Sequence, residues 1–281
     1  MTSLAEPTEG IAPVAPASSL LTVARPLPSG LRWAGGIAAE PGECDRAYSW
    51  AICNPGEEDP DDPGTSTKTL HVDHATDTFR PWPIYLPEGC DEFPNQTPEY
   101  YAGRAQDKLG AHTAAEISRE LETGEFTSNP SLESSATLLD SGTAYVPEVA
   151  FSRLLAARAG AFQTGFQMFH VPLWALPLLA EKNLIIPTAG GRLQTPGGHA
   201  VSVGPGYDGG GKAGWPAVAS ADYIYVTGQV EWAASSITPD TITVRGDHLR
   251  TNTQRVFAER MAIYRFSPCA VFAIAMLTNG T

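Results

Sequence analysis

The chain has 281 residues, 42% of them hydrophobic, and a formal net charge of −13. Its length and apolar content fit one large domain or two intertwined ones. The negative charge argues against a broad groove for nucleic acid, because phosphate binding depends on clustered Lys and Arg, and only 18 are spread through the sequence. The 27 Gly and 24 Pro residues indicate many turns and irregular arms.

Residues 1–10 lack the basic start and the apolar centre of a secretory signal, so we expect a protein that is made and used inside a cell. The longest apolar segment is interrupted by prolines and is too short to span a membrane. Cys44, Cys53, Cys90 and Cys269 show no C-x-x-C spacing. They predict neither a zinc finger nor a disulfide scaffold, and reduced thiols are expected.

Residues 1–28 are rich in Pro, Ala, Ser and Thr and contain few large apolar side chains. This composition predicts an arm that is ordered only by contacts outside its own subunit's core.

An extended hairpin is predicted next, with strands at 46–53 and 65–72. Its tip, residues 54–64, is acidic and lacks the spacing of a calcium-binding loop, so we expect a solvated tip or one that lies on an adjacent subunit. The acids of this tip are Glu57, Glu58, Asp59, Asp61 and Asp62.

The clearest helix is predicted to begin at Thr97-Pro98 and to stop at Gly124, a length of about seven turns. Its apolar residues recur at multiples of four and should face the core: Tyr101, Ala105, Leu109, Ile117 and Leu121. A second helix is predicted from Pro147 to Ala159, with Val149, Leu154 and Leu155 turned inward. Strands and glycine-rich loops are expected after residue 183.

The apolar segment 169–182 is predicted to be a packing element of the core. We expect a short helix that begins at Pro172 and is kinked or ended by Pro177, with Trp174, Leu178 and Leu179 buried. His170 is expected to be a residue at the entry to this helix.

Two stretches suggest ligand sites, and neither pattern is complete. Residues 206–212 fit G-x-x-x-x-G-K, but Ala213 stands where a nucleotide-binding loop has Ser or Thr, and Pro216 blocks the following helix. We expect a mobile loop that binds no nucleotide. The other stretch gathers His71, Asp73 and His74, but on a strand the two histidines face opposite sides, which favours surface polarity over a metal site. The sequence thus predicts no catalytic, cofactor-binding or metal-ligating residue.

The order of these elements, together with four passages, resembles the major capsid protein of tailed double-stranded-DNA bacteriophages, the Hong Kong 97-type family. The passages are Ala258-Glu259-Arg260 with the strand and Ser-Pro-Cys turn that follow, residues 169–179, the strands within 191–230, and residues 78–85 ahead of the long helix. The resemblance implies an α+β fold with an N-terminal arm, an extended hairpin, a peripheral domain with a long spine helix, and an axial domain.

On this resemblance the chain divides into five regions. They are the arm at 1–28, the hairpin region at 29–77, the peripheral domain at 78–135 with its spine helix at about 97–123, the axial domain at 136–235, and return strands at 236–281. The family's Lys-to-Asn cross-link cannot be assigned, because Lys68 has no matching Asn and Glu pair.

The implied function is structural, without catalysis, cofactor or membrane. The chain would self-assemble into hexamers and pentamers of an icosahedral head that encloses DNA, with a portal and optional scaffolding or decoration proteins as partners. Its location would be the virion, after assembly in the host bacterial cytoplasm. An acidic wall would keep packaged DNA from adhering. The alternatives are an encapsulin-like shell around a protein cargo, and an intracellular metal-dependent enzyme using His71, Asp73 and His74.

Overall fold

The structure is a computed structural model, and it describes residues 19–28, 33–39, 77–90, 98–161, 165–242 and 254–278. The helices of this part are α1 (Leu20–Val23), α2 (Pro98–Thr123), α3 (Leu132–Ser135), α4 (Pro147–Gly160) and α5 (Ala175–Glu181), and a 3₁₀ turn covers Leu139–Gly142. None of these helices has the length and apolarity needed to cross a membrane.

The strands come mostly before α2 or after α5. They are β1 (Arg25–Pro26), β2 (Ile37–Ala39), β3 (Asp77–Phe79), β4 (Trp82–Cys90), β5 (Thr137–Leu138), β6 (Ala144–Tyr145), β7 (Met168–Pro172), β8 (Ile186–Pro187), β9 (Leu193–Gln194), β10 (Ala200–Gly204), β11 (Ala221–Thr227), β12 (Glu231–Ala234), β13 (Thr238–Ile242), β14 (Gln254–Arg265) and β15 (Phe272–Leu277).

Two mixed sheets organise these strands. Sheet 1 is built on the long strand β14, which pairs with β4 along one edge and with β12 and β13 along the other, while β1 pairs with β12. Sheet 2 has the order β5-β15-β11-β7-β10-β9-β8, with β6 also paired to β15. Strands β2 and β3 form a separate pair. This arrangement confirms the α+β class expected from the sequence.

The long helix α2 packs on sheet 1, against β14 and β4. The five apolar residues predicted to face the core are all at most 2% exposed, which confirms the spacing argument. The helix ends where Gly124 adopts a positive φ of +67°, and an added Cβ there would lie 2.9 Å from the Asn129 carbonyl oxygen. Glycine is therefore required at this stop.

Strand alternation gives sheet 1 one covered and one exposed face. Trp82, Ile84 and Ala258 are buried in the same cluster as Leu109 of α2. On the opposite face Tyr85 is 65% exposed, and further exposed positions there are Pro83, Glu259 and Met261. Because side chains alternate along a strand, α2 covers only one of the two faces of this sheet.

Sheet 2 is buried on both faces. On one face Phe169 and Val171 of β7 pack with Phe151 and Leu154 of α4. Helix α4 is the predicted second helix, and Leu154 faces inward as expected. The other face contributes Tyr225 and its neighbours to the cluster that α2 also enters. The prediction was wrong for Val149, which is 38% exposed because α4 turns it away from the sheet.

The apolar segment 169–182 differs from its prediction at both prolines. Pro172 ends strand β7, and the helix begins three residues later at Ala175. Pro177 does not kink or end α5, because it occupies the first turn, where a backbone N–H has no intrahelical acceptor. Leu179 is buried in the cluster with α4, as expected, whereas Trp174 and Leu178 are only half-buried.

The arm prediction was wrong for residues 19–28. Leu20 is fully buried and Ala24 is 5% exposed, both within the cluster that contains α2, and β1 pairs in parallel with β12. A short turn with one large apolar side chain is sufficient here because it inserts into an existing core instead of forming its own. Residues 1–18 and the predicted hairpin at 46–72 lie outside the described residues.

The expectation of reduced thiols was wrong at Cys269, which is disulfide-bonded. Spacing rules detect dense disulfide frameworks, and they give no signal for a single bond between distant parts of a chain.

Candidate functional site

The glycine-rich loop 205–212 between β10 and β11 is held against helix α2. An added Cβ at Gly206 would lie 2.0 Å from the carbonyl oxygen of Ala115, so the loop backbone touches the helix directly. The backbone N–H groups of Asp208 and Gly209 donate to the Glu122 carboxylate, at 2.8 and 3.2 Å. The prediction of a mobile loop was therefore wrong for residues 206–209. These N–H groups are already engaged by a carboxylate, so the loop does not offer them to a phosphate.

Three carboxyl groups meet at this contact. One oxygen from each of Glu122, Glu133 and Asp208 lies within 4.8 Å of the others. Glu122 is in the last turn of α2, Glu133 is in the first turn of α3, and Asp208 is in the loop. Glu122 is fully buried, Glu133 is half-buried and Asp208 is exposed. We call these three residues the carboxylate cluster.

Burial controls the protonation of the cluster. It raises the pKa of Glu122 to about 8, against the opposing effect of the two backbone N–H donors. Burial also raises the pKa of Glu133, with a further contribution from the Asp208 charge, while Lys212 acts in the opposite direction. Nearby Asp222 has a raised pKa as well, mainly through burial. With a pKa of about 8, Glu122 is mostly protonated at neutral pH, because ionising these neighbouring acids together is unfavourable.

Sequence reasoning missed this cluster because its members are far apart in the sequence. Glu122 lies 11 positions before Glu133, and Asp208 lies 75 positions after it. One local signal was present. An acidic residue in the last turn of a helix is opposed by the helix dipole, and α2 has no basic residue in that turn.

Tyr225 lies on the face of β11 that is turned toward α2. The residue is 1% exposed, and its hydroxyl has no hydrogen-bond partner among the described residues. Burial raises the pKa of this hydroxyl, and the charges of Glu122, Glu133 and Asp208 raise it further. The Tyr225 ring also belongs to the buried cluster that contains Leu121 and Leu132, the chain neighbours of two of these acids.

His170 is a strand residue in a buried polar network, and the prediction of a helix-entry position was wrong. Its Nε2 lies 2.9 Å from the Thr227 hydroxyl, which itself donates to the Gly228 carbonyl oxygen. Nε2 therefore carries the proton, and Nδ1 accepts from the Tyr207 hydroxyl at 3.0 Å. Burial lowers the pKa of His170 to about 3, so the ring is neutral. The network joins β7, the loop and β11 internally.

A groove of about 620 Å³ runs between β4 and α2. Its lining includes exposed Tyr85 and Phe126, and α2 adds the polar side chains of His112, Glu116 and Arg119. The Arg119 guanidinium lies 4.9 Å from the centroid of the Phe126 ring. Together with the exposed face of sheet 1, this groove is a surface of mixed apolar and charged character that the described part of the chain leaves open.

The metal-site candidates of the sequence, His71, Asp73 and His74, lie outside the described residues, as do Lys68 and the acidic tip at 54–64. Among the described residues, the structure brings together the carboxylate cluster, which the sequence had not indicated.

No protein-family model matches the sequence. No curated protein matches it either. Solved structures do match. A structure from Gordonia phage Cozz is 12% identical at a TM-score of 0.54, covering 98% of this chain and 91% of its own. The capsid of a native GTA particle is 11% identical at a TM-score of 0.53, and the match covers 98% of this chain and 95% of that one. A structure from Mycobacterium phage Bobi is 13% identical at a TM-score of 0.52, and the match covers 100% of this chain and 96% of that one.

Identities this low establish the fold alone. The similarity extends over nearly the whole chain and includes α2, both sheets and their connections. The chain therefore has the α+β fold of phage capsid structures, as its sequence resemblance implied.

Proposed function

We propose that the protein is the major capsid protein of a tailed double-stranded-DNA phage, a structural subunit that assembles with copies of itself into a shell. The observation that carries this proposal is the agreement of fold with the capsid of a GTA particle over 98% of this chain and 95% of that one.

The finer proposal is an icosahedral head of hexamers and pentamers that encloses DNA, with a portal and optional scaffolding or decoration proteins as partners. The subunit would be located in the virion after assembly in the host cytoplasm. In the proposed domain division, α2 and β4 belong to the peripheral domain at 78–135, and α4 with strands β5 to β12 belongs to the axial domain at 136–235. Strands β13, β14 and β15 are the return strands at 236–281. The net charge of −13 supports this use, because an acidic wall repels packaged DNA.

The open surface of sheet 1 supports self-assembly. Tyr85 and Phe126, at 65% and 54% exposure, lie beside the groove between β4 and α2. Exposed aromatic side chains next to a groove are typical of protein–protein contacts. We propose that a neighbouring copy of the chain covers this surface in the shell.

We propose no enzymatic activity for the subunit. The side chains best suited to acid–base chemistry at sheet 2 are those of His170 in β7 and Tyr207 in the loop. Both are buried, and they are hydrogen-bonded to one another. No substrate reaches them without opening the core.

Negative-stain electron microscopy of the purified protein, with size-exclusion chromatography across a salt series, tests the shell. We expect closed particles of uniform size. A protein that remains monomeric at every salt concentration contradicts the proposal. The contents of particles isolated from cells then separate the candidates, since nucleic acid favours a phage head and a protein cargo favours an encapsulin-like compartment.

The surface has its own test. Tyr85→Asp should reduce particle yield, while Ala156→Asp, which adds the same charge at an exposed position of α4, should not. Equal yields from the two variants would exclude the sheet 1 surface as a subunit contact.

A further inference from the structure

The carboxylate cluster has the dimensions of a cation site. The three ligand oxygens lie within 4.8 Å of one another. Opposite ligands of a Ca²⁺ ion lie up to about 5 Å apart, because each is about 2.3–2.6 Å from the ion. Oxygens that lie within 4.8 Å of one another can therefore be ligands of one Ca²⁺ ion.

The simultaneous ionisation of these acids is unfavourable without a positive charge. Glu122 is buried at the C-terminal end of α2, where the helix dipole opposes a carboxylate. Asp208 is drawn to the same point from the loop, and Asp222 lies within electrostatic range of it. Lys212 is the cation whose charge acts on Glu133. A divalent ion would neutralise the excess and connect three separate elements.

Tyr225 provides a second and independent observation. Its side chain is buried, its hydroxyl has no hydrogen-bond partner among the described residues, and this hydroxyl is subject to the charges of all three acids. A buried hydroxyl is costly to leave without a partner. An ion in the cluster, or a water bound to that ion, would give the Tyr225 oxygen its missing contact.

We propose that Glu122, Glu133 and Asp208 bind a divalent cation of the size of Ca²⁺, with the Tyr225 hydroxyl in its immediate surroundings. The ion ties the end of α2 and the start of α3 to the loop that precedes β11. It thereby links the helix that covers sheet 1 to the loop between two interior strands of sheet 2. This site goes beyond the proposed shell function and does not depend on it.

Terbium luminescence tests the site directly, because Tb³⁺ occupies calcium sites and is excited through nearby aromatic rings. Trp215 lies 6.3 Å from Tyr225 and 4.9 Å from Tyr223 between ring centroids, so a sensitiser is present. The full-length protein is treated with a chelator, freed of it and titrated with Tb³⁺. We expect saturable emission at one ion per chain, displaced by Ca²⁺ at lower concentration than by Mg²⁺.

Glu133→Gln is the decisive variant, because it removes one charge and keeps the shape of the side chain. It should weaken Tb³⁺ and Ca²⁺ binding by about tenfold or more. Glu181→Gln, at an exposed position of α5, is the matched control and should bind as the wild type does. Circular dichroism confirms that each variant is folded, and Asp208→Asn replaces Glu133→Gln if the latter is not.

Thermal unfolding supplies a second readout. Ca²⁺ should raise the Tm of the wild type relative to chelator, and Glu133→Gln should lose this rise. Absence of saturable binding to the folded wild type would overturn the proposal and would identify the cluster as a set of acids that share protons. Binding that is equally strong in Glu133→Gln would overturn it as well. Both results leave the shell proposal intact, because binding is measured whether or not particles form.

Discussion

The two sheets of the molecule are buried to different extents. Sheet 2 has α4 on one face and the cluster shared with α2 on the other, so its central strands are fully enclosed. Sheet 1 has α2 on one face, and its opposite face presents Tyr85 and Met261. Within the described residues, one core is enclosed on both sides and the other has a face that no element covers. This difference supports the proposal that sheet 2 stabilises the subunit and that sheet 1 takes part in association.

The largest effect on stability is expected from the enclosed sheet. Phe169 of β7 is fully buried and stacks on Phe151 of α4 at 4.6 Å between ring centroids. Phe169→Ala should lower the free energy of unfolding by about 3–5 kcal/mol, since it removes a large side chain and leaves a cavity. Urea denaturation of the unassembled subunit measures the loss. A change below about 1 kcal/mol would show that sheet 2 is not the stabilising core.

The junction of the two sheets should be nearly as sensitive. An added Cβ at Gly206 would overlap the Ala115 carbonyl oxygen, so Gly206→Ala must displace the loop from α2. We expect a loss of about 3 kcal/mol in the same urea experiment. Gly197→Ala is the control, because the nearest atom to its Cβ would be at an ordinary distance of 3.5 Å. Similar losses in both variants would mean that the contact with α2 is unimportant.

A smaller effect is expected from His170, through its pKa. Burial lowers this pKa from 6.5 to about 3, so the unfolded chain binds a proton that the folded one excludes. Stability therefore falls as the pH decreases below 6.5, by about 1.5 kcal/mol from this residue between pH 6.5 and about pH 5.

His170→Gln should remove that part of the pH dependence, since glutamine keeps a donor and an acceptor but does not titrate. The comparison is made between the two proteins at each pH, so all other titrating groups contribute equally to both. An unchanged pH profile in the variant would indicate that His170 is protonated in the folded protein.

The smallest effect on the subunit is expected at the exposed face of sheet 1. Tyr85→Ala should change the free energy of unfolding by no more than about 0.5 kcal/mol, because the side chain is 65% exposed. Particle yield should nevertheless fall. A large loss of subunit stability would contradict the proposed roles of the two sheets, because Tyr85 would then stabilise the subunit itself.

Local signals determined which parts of this fold could be predicted. Helix α2 was predictable because Pro98, Gly124 and the regular apolar spacing all lie within one segment. Strand β7 was not, since a run of buried apolar residues before Pro172 is equally compatible with the start of a helix. Leu20 was missed because its burial depends on a core made by distant residues. The same reason hides the carboxylate cluster, whose members approach one another only after α2, α3 and the loop have packed.

The late position of two central strands has a consequence for synthesis. Strand β14 pairs with β4, β12 and β13, and β15 pairs with β5, β6 and β11. Each sheet therefore depends on a strand from the last thirty or so residues of the chain. While the ribosome extends the chain, β4 and α2 emerge long before the partner that closes them. The subunit completes its folding only after β14 and β15 have been translated, so products that end before these strands cannot complete either sheet.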